Sequence, residues 1–352
     1  MQGAGDSMVS QSFNDAEAPR TISNANANRI ASPSLVIGLG STSCQIARRL
    51  DDVSSGWTFS DRKSLGFLYM DTREATRGEI SRSSRFIPLT LPHFSNLRDM
   101  RPWITECVPE LKNLSLSREG ALGTLANAGV AGRFNYGNLR GHIDATIEQV
   151  CPYYEGVTYL RVHVIAFLGG GTVGALPVLL AALAEARGTS YNFSVVLHLV
   201  LPQRGMSRDP ETTYPLQLRN AYSTLQFLRA ASGIEVGKSE YTGKDSYQVT
   251  VYPDKIIDAP GPHFDVALLH RSPKDSLPVQ RIHVARILEG LVADAWGTGQ
   301  DWWARYHETM REANNNADAR FGSISSREVG LLDGFFVQTA KQYLQNQWQT
   351  RL

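Results

Sequence analysis

Residues 162–184, VHVIAFLGGGTVGALPVLLAALA, restrict the fold more than any other stretch of this chain. Val162, Val164, Ile165, Phe167 and Leu168 make a short apolar run rich in branched residues, which predicts a buried strand. Gly169, Gly170 and Gly171 follow, then Thr172, Val173 and Gly174. Beyond them Leu176, Leu179, Leu180 and Leu183, with alanines between, predict a helix that is apolar all round and must be buried. Strand, glycine loop and helix in this order let backbone N–H groups and a helix N-terminus face an anion. Glycine keeps Cβ atoms out of the path of phosphate oxygens, and Thr172 adds a hydroxyl donor. A tight, closely packed strand-to-helix turn is the plainer reading of the same residues.

A second glycine loop lies earlier. SLVIGLGSTSCQIARRL predicts a buried strand at Leu35–Ile37, a turn with Gly38 and Gly40, and a helix carrying Ile46, Ala47 and Leu50. Another strand, Leu65–Met70, ends at Asp71-Thr72-Arg73. Residues 79–114 are broken by Pro88, Pro92, Pro102 and Pro109. Gly120, Gly123, Gly129 and Gly132 punctuate a segment that becomes a helix by Leu139–Val150. A strand at Phe193–Leu201 is stopped by Pro202, and Tyr214–Ala231 predicts a long helix. Alternating strands and helices imply an α/β fold with a parallel, doubly wound sheet and its ligand at the carboxyl ends of the strands. Past Gly233, strands at SYQVTVYP and FDVALLH and a helix at VQRIHVARILEGLVADAW predict a smaller α/β unit. Residues 1–32, rich in Ser, Asn and Ala, predict a disordered tail or loosely docked arm.

Bulk properties exclude some classes. Over 352 residues the formal charge is +1, which argues against a nucleic-acid or membrane surface. No apolar run is long enough to span a bilayer. Cys44, Cys107 and Cys151 lack metal-type spacing, and an odd number argues against a disulfide framework, fitting a cytoplasmic setting. His163, His198 and His270 fall on or beside apolar strands and read as core histidines.

The chain has no G-x-x-x-x-G-K-[ST], so neither loop is of the Walker type. Taken alone, Gly38-Leu39-Gly40 with Asp71 fits the turn of a dinucleotide-dependent oxidoreductase, but that leaves the stronger second loop unused. A nucleotide cradled by both loops uses both. This pair resembles the tubulin and FtsZ superfamily, and within it the divergent bacterial tubulin-like proteins, which carry a GLGGTG-type first loop and a GGGTG-type signature. The resemblance covers Pro33 to about Ala231, and more loosely FDVALLHR and FGSISSREVGLLDGFFVQTAKQYL.

The resemblance implies a Rossmann-like GTP-binding domain at 33–213, a central helix at 214–232 and a smaller α/β domain at 233–352. Residues 38–45, with Gly38, Gly40, Ser41, Thr42, Ser43, Cys44 and Gln45 foremost, would approach base and phosphates, and residues 71–73, with Asp71 and Arg73, the phosphates and a metal. Gly169, Gly170, Gly171, Thr172, Val173 and Gly174 would form the signature loop. Residues 120–133, ending at Arg133, would sense the terminal phosphate; Asn220 would bond guanine and Glu211 the ribose. The implied ligand is GTP or GDP with Mg²⁺, and the implied partner is a second copy, added head to tail into filaments, alongside unidentified proteins.

Three departures stand out. Val173 stands at the signature's fifth residue, normally glycine, and Ser41 and Ser43 replace glycines of the first loop. The family's acidic N-x-D-x-x-D/E pattern after the central helix is missing. Asp265 and Asp275 are the weak catalytic candidates that remain, so a scaffold that binds without hydrolysing is the alternative within the family. Each site residue has a plainer role as well: Asp71 as a strand-end turn, Asn220 as a helix decoration, Arg133 as a surface charge.

Overall fold

The computed structural model describes residues 33–57, 62–80, 85–91, 121, 123–151, 160–189, 193–207, 209–231, 247–252, 255–259, 263–271, 277–294 and 321–324. The tail expected over residues 1–32 lies outside them, as do Cys107 and the catalytic candidate Asp275.

Four strands predicted from the sequence form the middle of a parallel sheet: β1 (Ser34–Leu39), β2 (Leu65–Asp71), β4 (Leu160–Phe167) and β5 (Phe193–Val200). A short strand, β3 (Arg85–Pro88), emerges from the proline-broken segment and pairs with β2. Every residue of β1, β2 and β5 is buried, which is why these strands read as continuous apolar runs rather than alternating ones. Chain order along the sheet reverses between β1 and β4: β2 and β3 lie to one side, β4 and β5 to the other. A crevice at the carboxyl ends of β1 and β4 is the expected consequence.

Helices cover both faces. Leu35, Ile37 and Leu39 join a core under α2 (Leu125–Phe134), α3 (Tyr136–Val150) and α4 (Leu176–Thr189). Val36, Ile165 and Val200 point the other way, into a core with α1 (Ser41–Ser54) and α6 (Leu277–Asp294). The glycine-dotted segment is helical because its glycines allow close approach: a Cβ on Gly132 would lie 3.2 Å from Ala175 Cβ. Asn135 separates α2 from α3, its amide donating to Thr90 O and Ala131 O at 2.8 Å each. The long helix, α5, spans Thr213–Ala231.

After α5 the chain divides its elements. β6 (Tyr247–Val251) and β7 (Lys255–Ala259) form a two-stranded antiparallel sheet. β8 (Val266–His270) pairs parallel with β5, and β9 (Phe321–Ile324) with β8, giving the order β3-β2-β1-β4-β5-β8-β9. Thus, of the smaller unit predicted after Gly233, the described strands 266–270 and 321–324 extend the main sheet to seven, and α6 packs on α1. VALLH is buried throughout, as an interior parallel strand requires.

A ladder of histidines crosses this half of the sheet. His163 Nδ1 lies 3.1 Å from His198 Nε2, and His198 Nδ1 lies 3.0 Å from His270 Nε2, with all three side chains fully buried. Neutral imidazoles satisfy such a chain, each gap holding one N–H. Burial, reinforced by the nearby Arg161 and His283 respectively, lowers His163 and His270 to about 3. Burial between two other imidazoles holds His198 well below its ordinary value.

Candidate functional site

At the point where strand order reverses, a cleft of about 280 Å³ is lined by three loops and the end of β2. The first loop gives Leu39, Gly40, Ser41 and Thr42; β2 and its exit give Asp71, Thr72 and Arg73. The segment before α2 gives Ala121 and Gly123, and the signature loop gives Phe167, Gly170, Gly171, Thr172 and Val173.

Two helix N-termini converge here. Gly40 precedes α1 at φ 88°, a conformation that L side chains rarely adopt, and its Cβ would meet Thr172 Cβ at 3.3 Å. Thr172–Ala175 form a tight 3₁₀ turn that runs into α4. Neither N-terminus has a side-chain cap or an acidic residue in its first turn. First-turn N–H groups have no acceptor within their own helix, and together with the helix dipole they favour an anion. Among the described residues, Arg73, exposed at the rim, is the only basic one lining the cleft, and Asp71 is the only acidic one.

Asp71 is nearly fully buried and holds the loops together. Thr172 Oγ1 donates to its Oδ1 at 2.9 Å, and Thr76 Oγ1 donates to its Oδ2 at 2.6 Å. Thr72 Oγ1 is 3.0 Å from Thr172 Oγ1 and accepts from Ala121 N at 3.0 Å. Four chain segments therefore meet at one carboxylate through hydroxyl groups. Thr172, expected to offer its hydroxyl to a ligand, commits that hydrogen to Asp71.

The glycines separate by role. A Cβ on Gly174 would lie 1.9 Å from Leu125 O, and one on Gly171 would lie 2.8 Å from Gly123 C and Thr124 N. One on Gly38 would lie 2.9 Å from Cys44 Cα, and one on Gly169 would lie 2.8 Å from Phe167 Cζ. These four are packing glycines. At Gly170 the nearest atoms to a Cβ are Phe167 O at 3.4 Å and Phe167 Cδ1 at 3.5 Å, and the residue lines the cleft. Gly170→Leu is therefore expected to leave thermal unfolding within a few degrees of wild type while filling the cleft. Unchanged anion or nucleotide binding by that variant would mark the loop as a packing turn.

Nine of the predicted residues line the cleft: Gly40, Ser41, Thr42, Asp71, Arg73, Gly170, Gly171, Thr172 and Val173. The others lie elsewhere. Ser43 Oγ accepts from Phe167 N at 3.0 Å, bracing the first loop against β4. Cys44 faces the core, its thiol donating to Gly38 O at 3.3 Å; burial, with Asp71 nearby, pushes it well above the usual thiol range. It is neither a ligand contact nor a reactive thiol. Gln45 bonds Glu79 at 2.6 Å on the surface, and Arg133 lies outside the lining. Glu211 is an exposed partner of Arg204. Asp265 precedes β8 at the amino end of the sheet, opposite the cleft, accepting from Arg187 and from Val195 N at 2.7 Å each. Within one subunit it cannot reach the cleft.

Asn220 is buried, and it is not among the residues lining the cleft. Its amide donates to Gly123 O at 2.8 Å and to Gly169 O at 3.4 Å. Leu39, Thr72, Ala121 and Gly123, inside the predicted spans 38–45, 71–73 and 120–133, complete the lining together with Phe167, which lies outside every such span. Phe167 looks in sequence like an ordinary strand end.

No protein-family model matches this chain, and no curated protein does. Solved structures do. CetZ2 from Haloferax volcanii, described as a GTPγS-bound protofilament, is 16% identical, with 75% of this chain and 59% of that chain covered and a TM-score of 0.44. CetZ from Methanosaeta thermophila is 13% identical over 83% of this chain and 60% of that one, with a TM-score of 0.42. A protofilament-forming TubZ from Bacillus thuringiensis serovar israelensis, in its GDP form, is 14% identical over 77% and 55%, with a TM-score of 0.40. The chain spans 55–60% of the length of these structures.

Proposed function

We propose that this chain binds the phosphates of a nucleotide, GTP or GDP, in the cleft between β1 and β4. One observation carries the reading: two helix N-termini, both free of acidic first-turn residues, meet across glycine loops at one cleft. The sequence resemblance to tubulin and FtsZ selects guanosine nucleotides among the phosphates that such a cleft accepts. Ser41, Thr42, Gly170, Gly171 and Thr172 would supply backbone N–H groups, with Arg73 at the rim. Among the described residues no group of three or more His, Cys, Asp or Glu could hold a metal ion. Asp71 is the one carboxylate among the described lining residues, beside the neutral hydroxyls of Ser41, Thr42, Thr72 and Thr172, so Mg²⁺ would enter mainly on the ligand's own phosphate oxygens.

Hydrolysis within one subunit is slow on this reading. Among the described residues, the only carboxylate lining the cleft accepts hydroxyl groups on both oxygens, and no other carboxylate or imidazole lines it. Head-to-tail self-association in the cytoplasm completes the proposal; it rests on the sequence resemblance. Among the described residues no helix is long and apolar enough to cross a membrane.

The deciding experiment extracts whatever co-purifies with the protein and identifies it by chromatography and mass spectrometry. GDP or GTP is the expected result, whereas a nicotinamide or flavin dinucleotide selects the oxidoreductase reading. Light scattering with and without GTP tests assembly. A monomer at high protein concentration with GTP bound removes self-association and leaves the cleft.

A further inference from the structure

We infer that Asn220 is a positioning residue that clamps two phosphate-facing loops together. The inference rests on the phosphate-binding cleft proposed above and adds how that cleft is held open to a ligand. Asn220 sits in the second turn of α5, and its one NH₂ group is shared between two backbone carbonyls. Gly123 O, at 2.8 Å, belongs to the segment before α2; Gly169 O, at 3.4 Å, belongs to the signature loop. Both acceptors are carbonyls, so only the nitrogen side of the amide fits there. The side chain is buried, and a buried donor shared between two carbonyls is costly to withdraw from them.

What the clamp holds is specific. Gly123 itself lines the cleft at φ 75°, and Gly170 follows directly on Gly169. Gly171 packs on the same segment, where a Cβ would lie 2.8 Å from Gly123 C. Removing the amide frees both carbonyls at the point where the two loops touch. Thr224 Oγ1 bonds Asn220 O at 2.9 Å, one turn along, so the backbone of α5 is anchored without the side chain.

The experiment pairs a base-free ligand with a ligand-free measurement. Wild type, Asn220→Ala and the isosteric Asn220→Asp are titrated with inorganic triphosphate, GDP and ADP. Hydrogen exchange is followed at residues 123–125 and 170–173 in the ligand-free proteins. A clamp predicts that both variants lose about tenfold in affinity for triphosphate and for GDP alike. It also predicts faster exchange at both loops, with β5 and α3 unchanged. Weaker GDP binding with triphosphate unaffected assigns Asn220 to the base and overturns the inference. So does unchanged loop exchange in both variants. If wild type binds none of the three ligands, the phosphate reading fails, and the exchange data alone then decide whether the clamp exists. Asn220→Asp fills the same volume, so it supplies the answer if the alanine variant does not fold.

Discussion

Acidification from pH 7.5 unfolds this protein in one steep transition centred between about pH 4 and 5.5, well before its carboxylates are fully protonated. The histidine ladder is the cause. In the folded state burial holds His163 and His270 at about 3 and His198 lower than its ordinary value of 6.5, so all three stay neutral. In the unfolded chain each takes a proton once the pH falls below about 6.5. The unfolded state then binds more protons than the folded one, so stability is full above pH 6.5 and falls as pH drops toward 3. Each histidine contributes a slope of about 1.4 kcal/mol per pH unit, so three contribute about 4. A domain stability of about 5–15 kcal/mol is exhausted within a few units at that slope. His263, also buried and lowered to about 4, adds to the trend. Circular dichroism across the pH range checks it. Urea stability that does not fall between about pH 6.5 and 4.5 contradicts the assignment of neutral imidazoles. Replacing all three by leucine, which needs no partner in the ladder, is expected to move the midpoint down by about one pH unit or more.

Gly174→Ala is expected to cost about 3 kcal/mol or more and to melt the contact between α2 and the signature loop, although it adds only one methyl group. The added carbon falls 1.9 Å from Leu125 O, and the obstacle is backbone in the first turn of α2, which cannot swing aside as a side chain can. Gly171→Ala meets backbone of the same segment at 2.8 Å and is expected to follow at a smaller cost. The two differ in kind from Gly170→Leu, whose Cβ meets Phe167 only at ordinary van der Waals distance. Urea unfolding of the three variants, beside their anion binding, separates them. Gly174→Ala loses stability and binding together, and Gly170→Leu loses binding alone. A Gly174→Ala protein as stable as wild type contradicts the packing at Leu125.

Much of the fold was legible because the strands announce themselves. LVIGL, LGFLYM, VHVIAF and FSVVLHLV are buried on both faces, and a run of that kind has few other homes than the middle of a parallel sheet. The two glycine loops likewise gave the cleft, since each stands between a strand and a helix. VALLH was equally readable as a strand, but nothing in its apolar side chains says which edge it pairs with. β3 was hidden because Pro88 and its neighbours read as breakers, whereas a short edge strand tolerates a proline at its end. Cys44 shows the limit within one loop: it is three residues from Ser41, yet the helix turns its thiol into the core while Ser41 lines the cleft. Asn220 shows a different limit. Its amide was read as a contact to guanine or a helix decoration, and residue type alone does not foretell the pair of backbone carbonyls that it meets.

The pairing of β8 with β5 also governs how this chain must be made. Val196 lies beside Val266 in the sheet, with the whole of α5 and the β6–β7 hairpin intervening in sequence. During synthesis β5 therefore emerges with its outer edge unclaimed and keeps a row of backbone donors and acceptors exposed beside apolar side chains until the later strand arrives. Such a delay slows folding, because a distant segment has to be brought back before its contacts repay the loop closed. An unclaimed apolar edge is also a template for another nascent chain. Shortened versions that stop after α5 at residue 231 keep every residue described as lining the cleft but leave that edge permanently bare, and they are expected to accumulate as insoluble protein.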